Sequence, residues 1–444
     1  MASTRSNARL IRFGIFALVL IGCGYILTRG SSFQPPNYSQ TQSSTQQQQQ
    51  KQQQVPQQQQ QQQKPVNNVG SNSGTTPISA GKYLSKDMGP LPKAFMVENS
   101  EPKVIPQKNI DPTTYNPETD KIKATFISLA RNSDLWSLAE SIRQVEDRFN
   151  KKFHYDWVFL NEEEFNDEFK ETVTSMVSGK AKFGLIPKEH WSYPAWIDQE
   201  KAALVREDMT QRKIIYGHSE SYRHMCRFES GFFWRQEILK DYEYYWRVEP
   251  DIKIFCDIDY DVFKWMKDNG KEYSFTISLP EYKETIPTLW DTTKEFIDKN
   301  PQYLAENNLL DWLSDDKGKT YNGCHFWSNF EIASLNFWRS DAYRSYFEHL
   351  DKAGGFFYER WGDAPVHSIG AALFLPREKI HFFEDVGYFH VPFNNCPVDK
   401  EIRKERNCNC DPNKDFSWRG YSCTTKYYTV NNFKRPKGWE KYTA

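Results

Sequence analysis

From residue 122 onward the chain switches repeatedly between a two-residue and a three-to-four-residue hydrophobic period. "KIKATFISLARNSD" opens as an apolar run that predicts a strand over 122–129, broken at Ala130-Arg131-Asn132. Ser133 or Asp134 then caps a helix whose apolar positions, Leu135, Leu138, Ile142, Val145 and Phe149, fall on one face. "YDWVFLN" predicts a second strand over 155–161 and "FGLIP" a third over 183–187. Strand, helix and strand at this spacing make a βαβ unit in a largely parallel sheet. "SYRHMCRFESGFFWRQEIL" predicts a helix in its second half, with Phe232, Phe233, Ile238 and Leu239 inward. "YYWRV" predicts a strand over 244–248 that Pro250 ends, and "IKIFC" starts another. In "YERWGDAPVHSIGAALF" a helix begins, with Asp363 as N-cap and Pro365 in the first turn.

The N-terminal part follows other rules. Residues 13–27 are uncharged and mostly apolar, with Arg5, Arg9 and Arg12 before them and Arg29 after; Asp87 is the first acidic residue. No clean small-x-small cleavage site follows, so the run predicts an uncleaved signal anchor at 13–29 rather than a removed signal peptide. Positive flanking charge leaves residues 1–12 as a cytosolic tail and sends the bulk of the chain into the lumen. Gln, Ser, Asn, Pro and Thr dominate 35–81, with Gln runs at 46–50 and 57–63. Such a segment has too little apolar surface to offset its ordering entropy, so 30–100 is expected to be a disordered stalk and 101–444 the folded lumenal domain.

Charge and cysteine usage narrow the class. The formal net charge is −1, and no basic stripe stands out, which argues against a nucleic-acid partner. Cys23 lies in the apolar run; Cys226, Cys256, Cys324, Cys396, Cys408, Cys410 and Cys423 remain. The last four crowd polar, loop-like sequence. Their spacing is not the C-x₂-C of zinc sites, and a lumenal body favours disulfides. The odd count leaves at least one thiol unpaired, and Cys256, inside an apolar strand, is the expected one. Asn37-Tyr-Ser39 is the only glycosylation sequon and falls in the stalk.

Candidate chemistry centres on "WRVEPDIKIFCDIDYD", 246–261, where acidic residues sit among buried-looking apolar ones. Buried charge is costly unless paired. Glu249 and Asp251 flank Pro250; in extended backbone i and i+2 aim the same way, a pair suited to a divalent cation or ribose hydroxyls. Asp257, Asp259 and Asp261 repeat with period two. An ion-pair network with Arg247 and Lys253 is the structural alternative. Arg131 ends the first strand, where open α/β sheets bind ligands. Glu331 lies in an aromatic, apolar stretch, so it is either held by hydrogen bonds or poised for chemistry. His367 reads as a packing or supporting residue. For His390 both a structural and a ligand role are open.

"SYRHMCRFESGFF", "YYWRVEPDIKIFCDIDYDVF", "CHFWSNFEIASLNFWRS", "ERWGDAPVHSIGAALFL" and "GYFHVPFNNCP" together resemble the fungal α-1,2-mannosyltransferases of glycosyltransferase family 15, over 121–444. The resemblance implies a GT-A fold, a Rossmann-like, mostly parallel mixed sheet with helices on both faces. It implies retaining transfer of mannose from GDP-mannose, with Mn²⁺, to mannose-terminated O- or N-linked glycans, by a type II Golgi membrane enzyme that can associate with other Golgi mannosyltransferases. Glu249-Pro-Asp251 then stands at the D-x-D position of other GT-A enzymes, Glu331 at the proposed nucleophile or oxocarbenium stabiliser, and His390 at the metal ligand. Arg131, Tyr222, Arg247 and Asp363 fall around donor or acceptor. A transferase using UDP-sugars and an inactive mannan-binding or scaffolding relative are the rival readings.

Overall fold

A computed structural model describes residue 116 and residues 119–443. The expected tail, anchor and stalk, with Cys23 and Asn37, lie outside the described residues. Among the described residues no helix is long and apolar enough to cross a membrane.

Seven strands form the central sheet in the order β10-β6-β9-β4-β1-β2-β3. They are β1 (Ala124–Leu129), β2 (Asp156–Asn161), β3 (Ala181–Leu185), β4 (Tyr244–Val248), β6 (Tyr273–Phe275), β9 (Phe330–Ser334) and β10 (Ile380–Phe382). The β1–β2, β2–β3, β1–β4 and β6–β10 pairs are parallel; β9 runs antiparallel between β4 and β6. The expected mixed α/β fold with a mostly parallel sheet is therefore present. A hairpin pairs β7 (Ser278–Pro280) with β8 (Cys324–Phe326). A small sheet joins β5 (Lys253–Ile254), β11 (Tyr388–His390) and β12 (Phe393–Asn395).

Successive strand residues feed two separate cores. Phe126, Trp157 and Trp246 pack on one face, with Leu135, Leu138, Ile142 and Val145 of helix α1 (Leu135–Val145). Ile127, Val158 and Tyr245 pack on the other, with Cys226 and Phe228 of α4 (Glu220–Gly231) and Val366 and Ile369 of α8 (Asp363–Phe374). Strands buried on both faces explain the continuous apolar runs of the sequence. Between α1 and α4 come α2 (Asp167–Met176) and α3 (Gln199–Gln211); α5 (Val262–Asp268), α6 (Leu289–Lys299) and α7 (Asp341–Ala353) follow α4.

Three sequence expectations are corrected. The helix in 221–239 occupies the first half, capped by Ser219, whose side chain accepts from Tyr222 N–H; the aromatic second half forms two 3₁₀ turns. Asp363 is the first residue of α8 rather than its N-cap, which is Gly362. Cys256 is not the free thiol. It is bonded to Cys408, beside bonds Cys324–Cys423 and Cys396–Cys410, and Cys226 is free and buried. The physical reason is that β5 ends at Ile254, so Cys256 lies past the strand, where Asp257 N–H donates to Arg406 O and Asn409 N–H to Phe255 O. Cys226 sits instead within α4, turned into the core.

Candidate active site

Pairing of β4 with β9 places Arg247 opposite Glu331. Tyr245 and Arg247, two apart on β4, project to the same face of the sheet. There Glu331, fully buried, accepts three hydrogen bonds: from Tyr245 Oη to Oε2 at 2.7 Å, from Tyr273 Oη to Oε1 at 2.8 Å, and from His367 Nδ1 to Oε1 at 2.8 Å. His367 Nε2 lies 3.0 Å from the Glu229 carbonyl, to which it can only donate. Acceptors facing both nitrogens favour the doubly protonated ring. Burial alone would lower its pKa, but Glu331 outweighs burial and raises it. Burial, then Glu331, pushes both tyrosine hydroxyls well above their usual range, so they remain donors.

Arg247 is shared among carboxylates. Its Nη1 donates to Asp363 Oδ2 at 2.6 Å and its Nη2 to Glu249 Oε1 at 2.6 Å; Glu229 Oε2 is 3.8 Å from Nη1. Ser328 Oγ adds a bond to Asp363 at 2.8 Å. Burial would raise Glu249, but Arg247 and His390 hold it at about 2. Burial would also raise Asp363, and Arg247 and His367 pull it below its usual value. Glu229 goes the other way: burial lifts it to about 7 against the pull of Arg247. Glu249, Asp363 and Glu331 thus press on Arg247 and His367, and Glu229 can add a further negative charge. Such a network suits a ligand with positive or partly positive character.

His390, on β11, places Nε2 3.4 Å from Glu249 Oε2, and its Nδ1 is 3.2 Å from Val391 O. Trp327 packs edge-on against the ring at 4.9 Å. Asp251 is a correction. Pro250 and Asp251 form a turn, with φ +62° at Asp251, so the extended geometry that would aim Glu249 and Asp251 together is absent. Its N–H approaches Ser137 O at 3.4 Å.

Arg131 meets the stretch of α4 that carries Tyr222. Arg131, exposed beyond β1, donates from Nη2 to Ser221 Oγ at 2.6 Å, one residue from Tyr222. Tyr222 stacks on Tyr216 at 4.4 Å, and the Arg360 guanidinium lies 5.1 Å from its ring centre. Sequence reasoning missed Glu229, Ser328, Tyr245 and Tyr273. Glu229 had a usable signal, a carboxylate in the apolar stretch "RFESGFF". Placing the helix in the wrong half of that segment concealed which way it faces.

Residues 85–432 match the glycolipid 2-alpha-mannosyltransferase family. The chain belongs to that family. It is 78% identical to glycolipid 2-alpha-mannosyltransferase 1 of Candida albicans across the full length of both. It is 65% identical to alpha-1,2 mannosyltransferase KTR1 of Saccharomyces cerevisiae over 72% of this chain and 81% of that one. Among solved structures it resembles core-mannan synthase A of Aspergillus fumigatus in its Mn/GDP form (TM-score 0.69, 40% identity, 75% of this chain and 93% of the other). It also resembles the S. cerevisiae mannosyltransferase Ktr4p in complex with GDP (TM-score 0.69, 38% identity, 79% and 90%).

Proposed function

We propose that the chain is a retaining, GDP-mannose-dependent α-1,2-mannosyltransferase of GT-A fold that extends mannose-terminated protein glycans. Its domain would span 101–444, held in the Golgi lumen by a type II anchor at 13–29 and a stalk at 30–100. End-to-end identity to a glycolipid 2-alpha-mannosyltransferase carries this reading. Edge position supports it: Arg131 follows the carboxyl end of β1 and Glu249 that of β4, two adjacent parallel strands. Open α/β sheets take their ligands at such an edge.

The donor set fits Mn²⁺. Glu249 is ionised, and His390 Nε2 stands 3.4 Å from its Oε2, so a carboxylate oxygen and an imidazole nitrogen lie side by side. Among the described residues no cluster of three or more His, Cys, Asp or Glu could hold a metal alone. That suits an ion shared with substrate phosphates rather than caged by protein. When bound, the ion would offset charge developing on the pyrophosphate. Arg131 would hold the nucleotide, Tyr222 and Asp363 would lie beside the sugar and acceptor, and Asp251 would lie at the donor-side turn. Arg247 fixes Glu249 and Asp363. Glu331 serves best as a fixed negative charge beneath the donor sugar. Three donors already occupy it, which blunts a nucleophile but suits stabilisation of an oxocarbenium-like carbon. The acceptor proton would then leave with the departing phosphate.

Incubation with GDP-mannose, Mn²⁺ and methyl α-mannoside, followed by NMR of the product, tests the reading. An α-1,2-linked dimannoside is expected, and His390→Ala should weaken Mn²⁺ activation more than it alters melting. No transfer, or a β-linked product, would overturn it.

A further inference from the structure

Among the described residues, Tyr282 and Tyr421 are two of the few large apolar side chains left exposed, at 44% and 39%. They sit together. Tyr421 Oη approaches Pro280 O at 3.5 Å, two residues before Tyr282. Burial, then Tyr282 and Glu281, pushes the Tyr421 hydroxyl up to about 12. Two chains of contact tie this pair to the catalytic network. Through Glu281 it reaches Arg360 at 3.6 Å, and Arg360 lies over the Tyr222 ring. Through ring contacts it reaches His390: Tyr421 to Phe416 at 6.3 Å, Phe416 to Phe393 at 4.1 Å, Phe393 to Trp327 at 5.6 Å, and Trp327 to His390.

Tyr421 packs one edge on Phe416 and bonds Pro280 O, yet both rings leave much of their surface in water. A buried ring gains from leaving water, and these two forgo much of that gain. The Cys324–Cys423 bond, two residues from Tyr421, fixes the segment that carries it. An aromatic rim fixed beside a sugar-transfer site suits a ligand with alternating apolar and hydroxylated surfaces. A pyranose is such a ligand: its C–H face packs on a ring while its edges bond to water or to a carboxylate.

Resting on the reading above, we propose that Tyr282 and Tyr421, with Glu281 beside them, form an outer acceptor subsite that binds the second or third sugar of a mannoside chain. The subsite selects oligosaccharide over monosaccharide acceptors. Its contribution comes from ring stacking rather than from either hydroxyl.

The test uses the detergent-solubilised full-length chain and its Tyr282→Ala, Tyr421→Ala, Tyr282→Phe and Tyr421→Phe variants. KM is measured for methyl α-mannoside and for a linear α-mannotriose, and mannotriose binding is measured separately by calorimetry. Each alanine variant should raise the mannotriose KM about five- to tenfold, the range expected for one lost ring contact. The methyl mannoside KM should move far less, and the phenylalanine variants should keep most of the mannotriose preference. Equal changes for both acceptors, or none for either, would overturn the subsite. If the wild-type chain transferred no mannose yet bound mannotriose through these tyrosines, the subsite would stand and the transferase reading would fall. Absence of mannotriose binding in an active wild-type enzyme would do the reverse.

Discussion

Residues 247–261 give one carboxylate, Glu249, to the Arg247 network and three, Asp257, Asp259 and Asp261, to a second group, and the structure treats the two groups oppositely. Glu249 shares Arg247 with Asp363 and Glu229, and Glu331 lies opposite in register. Asp257, Asp259 and Asp261 each have partners of their own. Asp257 accepts from Arg148 and Asn407, and Asp259 pairs with Lys152. Asp261 caps α5 through Phe263 and Lys264 N–H and accepts from Tyr155 Oη. Density of acidic residues therefore does not mark the site. Imbalance marks it: in the first group several carboxylates contend for one guanidinium, while in the second the charges are settled locally. Substitutions in the two groups should accordingly have unlike consequences.

Arg247→Met should have the largest effect. It keeps much of the apolar volume but leaves the buried Asp363 and the part-buried Glu249 without their cation. Breaking a buried pair in this way costs roughly 3–5 kcal/mol. Thermal melting should fall sharply, and transfer should be lost even where the chain stays folded. A variant with near-normal melting would mean that the carboxylates find another cation, and the contrast with Asp257 would collapse.

Glu331→Gln separates chemistry from architecture. Glutamine keeps the shape, its Oε1 can accept from Tyr273 and His367, and its amide can donate to Tyr245 Oη, since a phenol also accepts. The fold and GDP-mannose affinity should survive. Transfer should slow by about a hundred- to a thousandfold, the scale of losing one preorganised electrostatic group at a reacting centre. Single-turnover rates, melting and donor affinity measured on one preparation decide this. A folded variant with ordinary turnover would reduce Glu331 to a structural acid.

Much of this contrast was legible beforehand. The β1 and β4 strands and the α1 face follow from period and from the proline after β4, while the family resemblance singled out Arg247, Glu249, Asp363 and His390, which the structure brings into contact. What stayed hidden depends on contacts between distant residues. The partners of Asp257, Asp259 and Asp261 come from Arg148, Lys152, Asn407 and helix N–H groups, and no local spacing reports them. Tyr245 and Tyr273 read as core residues because their rings are core; only their hydroxyls serve Glu331. Asp251 fooled the i, i+2 rule because Pro250 starts a turn. Cys256 fooled the burial rule because a buried position can equally be a bonded one.

Glu229 offers a smaller, pH-dependent test. Burial raises it to about 7, whereas in the unfolded chain it titrates near its ordinary 4.5. Between those values folding takes up a proton, so this group's stabilisation is full below 4.5 and is lost as pH rises through 7. Glu384, raised to about 8, and Asp415, raised to about 7, contribute slopes of the same sign, again through burial. Glu229→Gln should therefore flatten part of the decline in melting temperature from about pH 5 to about pH 7.5, without reversing it. An unchanged slope would show that Glu229 is already ionised beside Arg247 at low pH.

Asp257→Asn should do least, and its smallness is informative. The Arg148 Nη1–Asp257 Oδ1 contact is 2.5 Å, yet about a quarter of each side chain remains exposed, so solvent screens the pair. Exposed pairs of this kind contribute roughly 0–1 kcal/mol. Asparagine can still accept from Arg148, and the backbone bond from Asp257 N–H to Arg406 O is untouched. Burial acts to raise the Asp257 pKa, but hydrogen bonds from Arg148 and Asn407 outweigh it and hold it below its ordinary value. Its stabilisation is therefore present at neutral pH and lost as pH falls through the lowered pKa. The variant should melt within a few degrees of wild type, converge with it in acid, and keep its kcat and its Mn²⁺ response. A folded Asp257→Asn chain with an altered Mn²⁺ titration would place Asp257 in the donor site, and the division between contended and settled carboxylates would have to be redrawn.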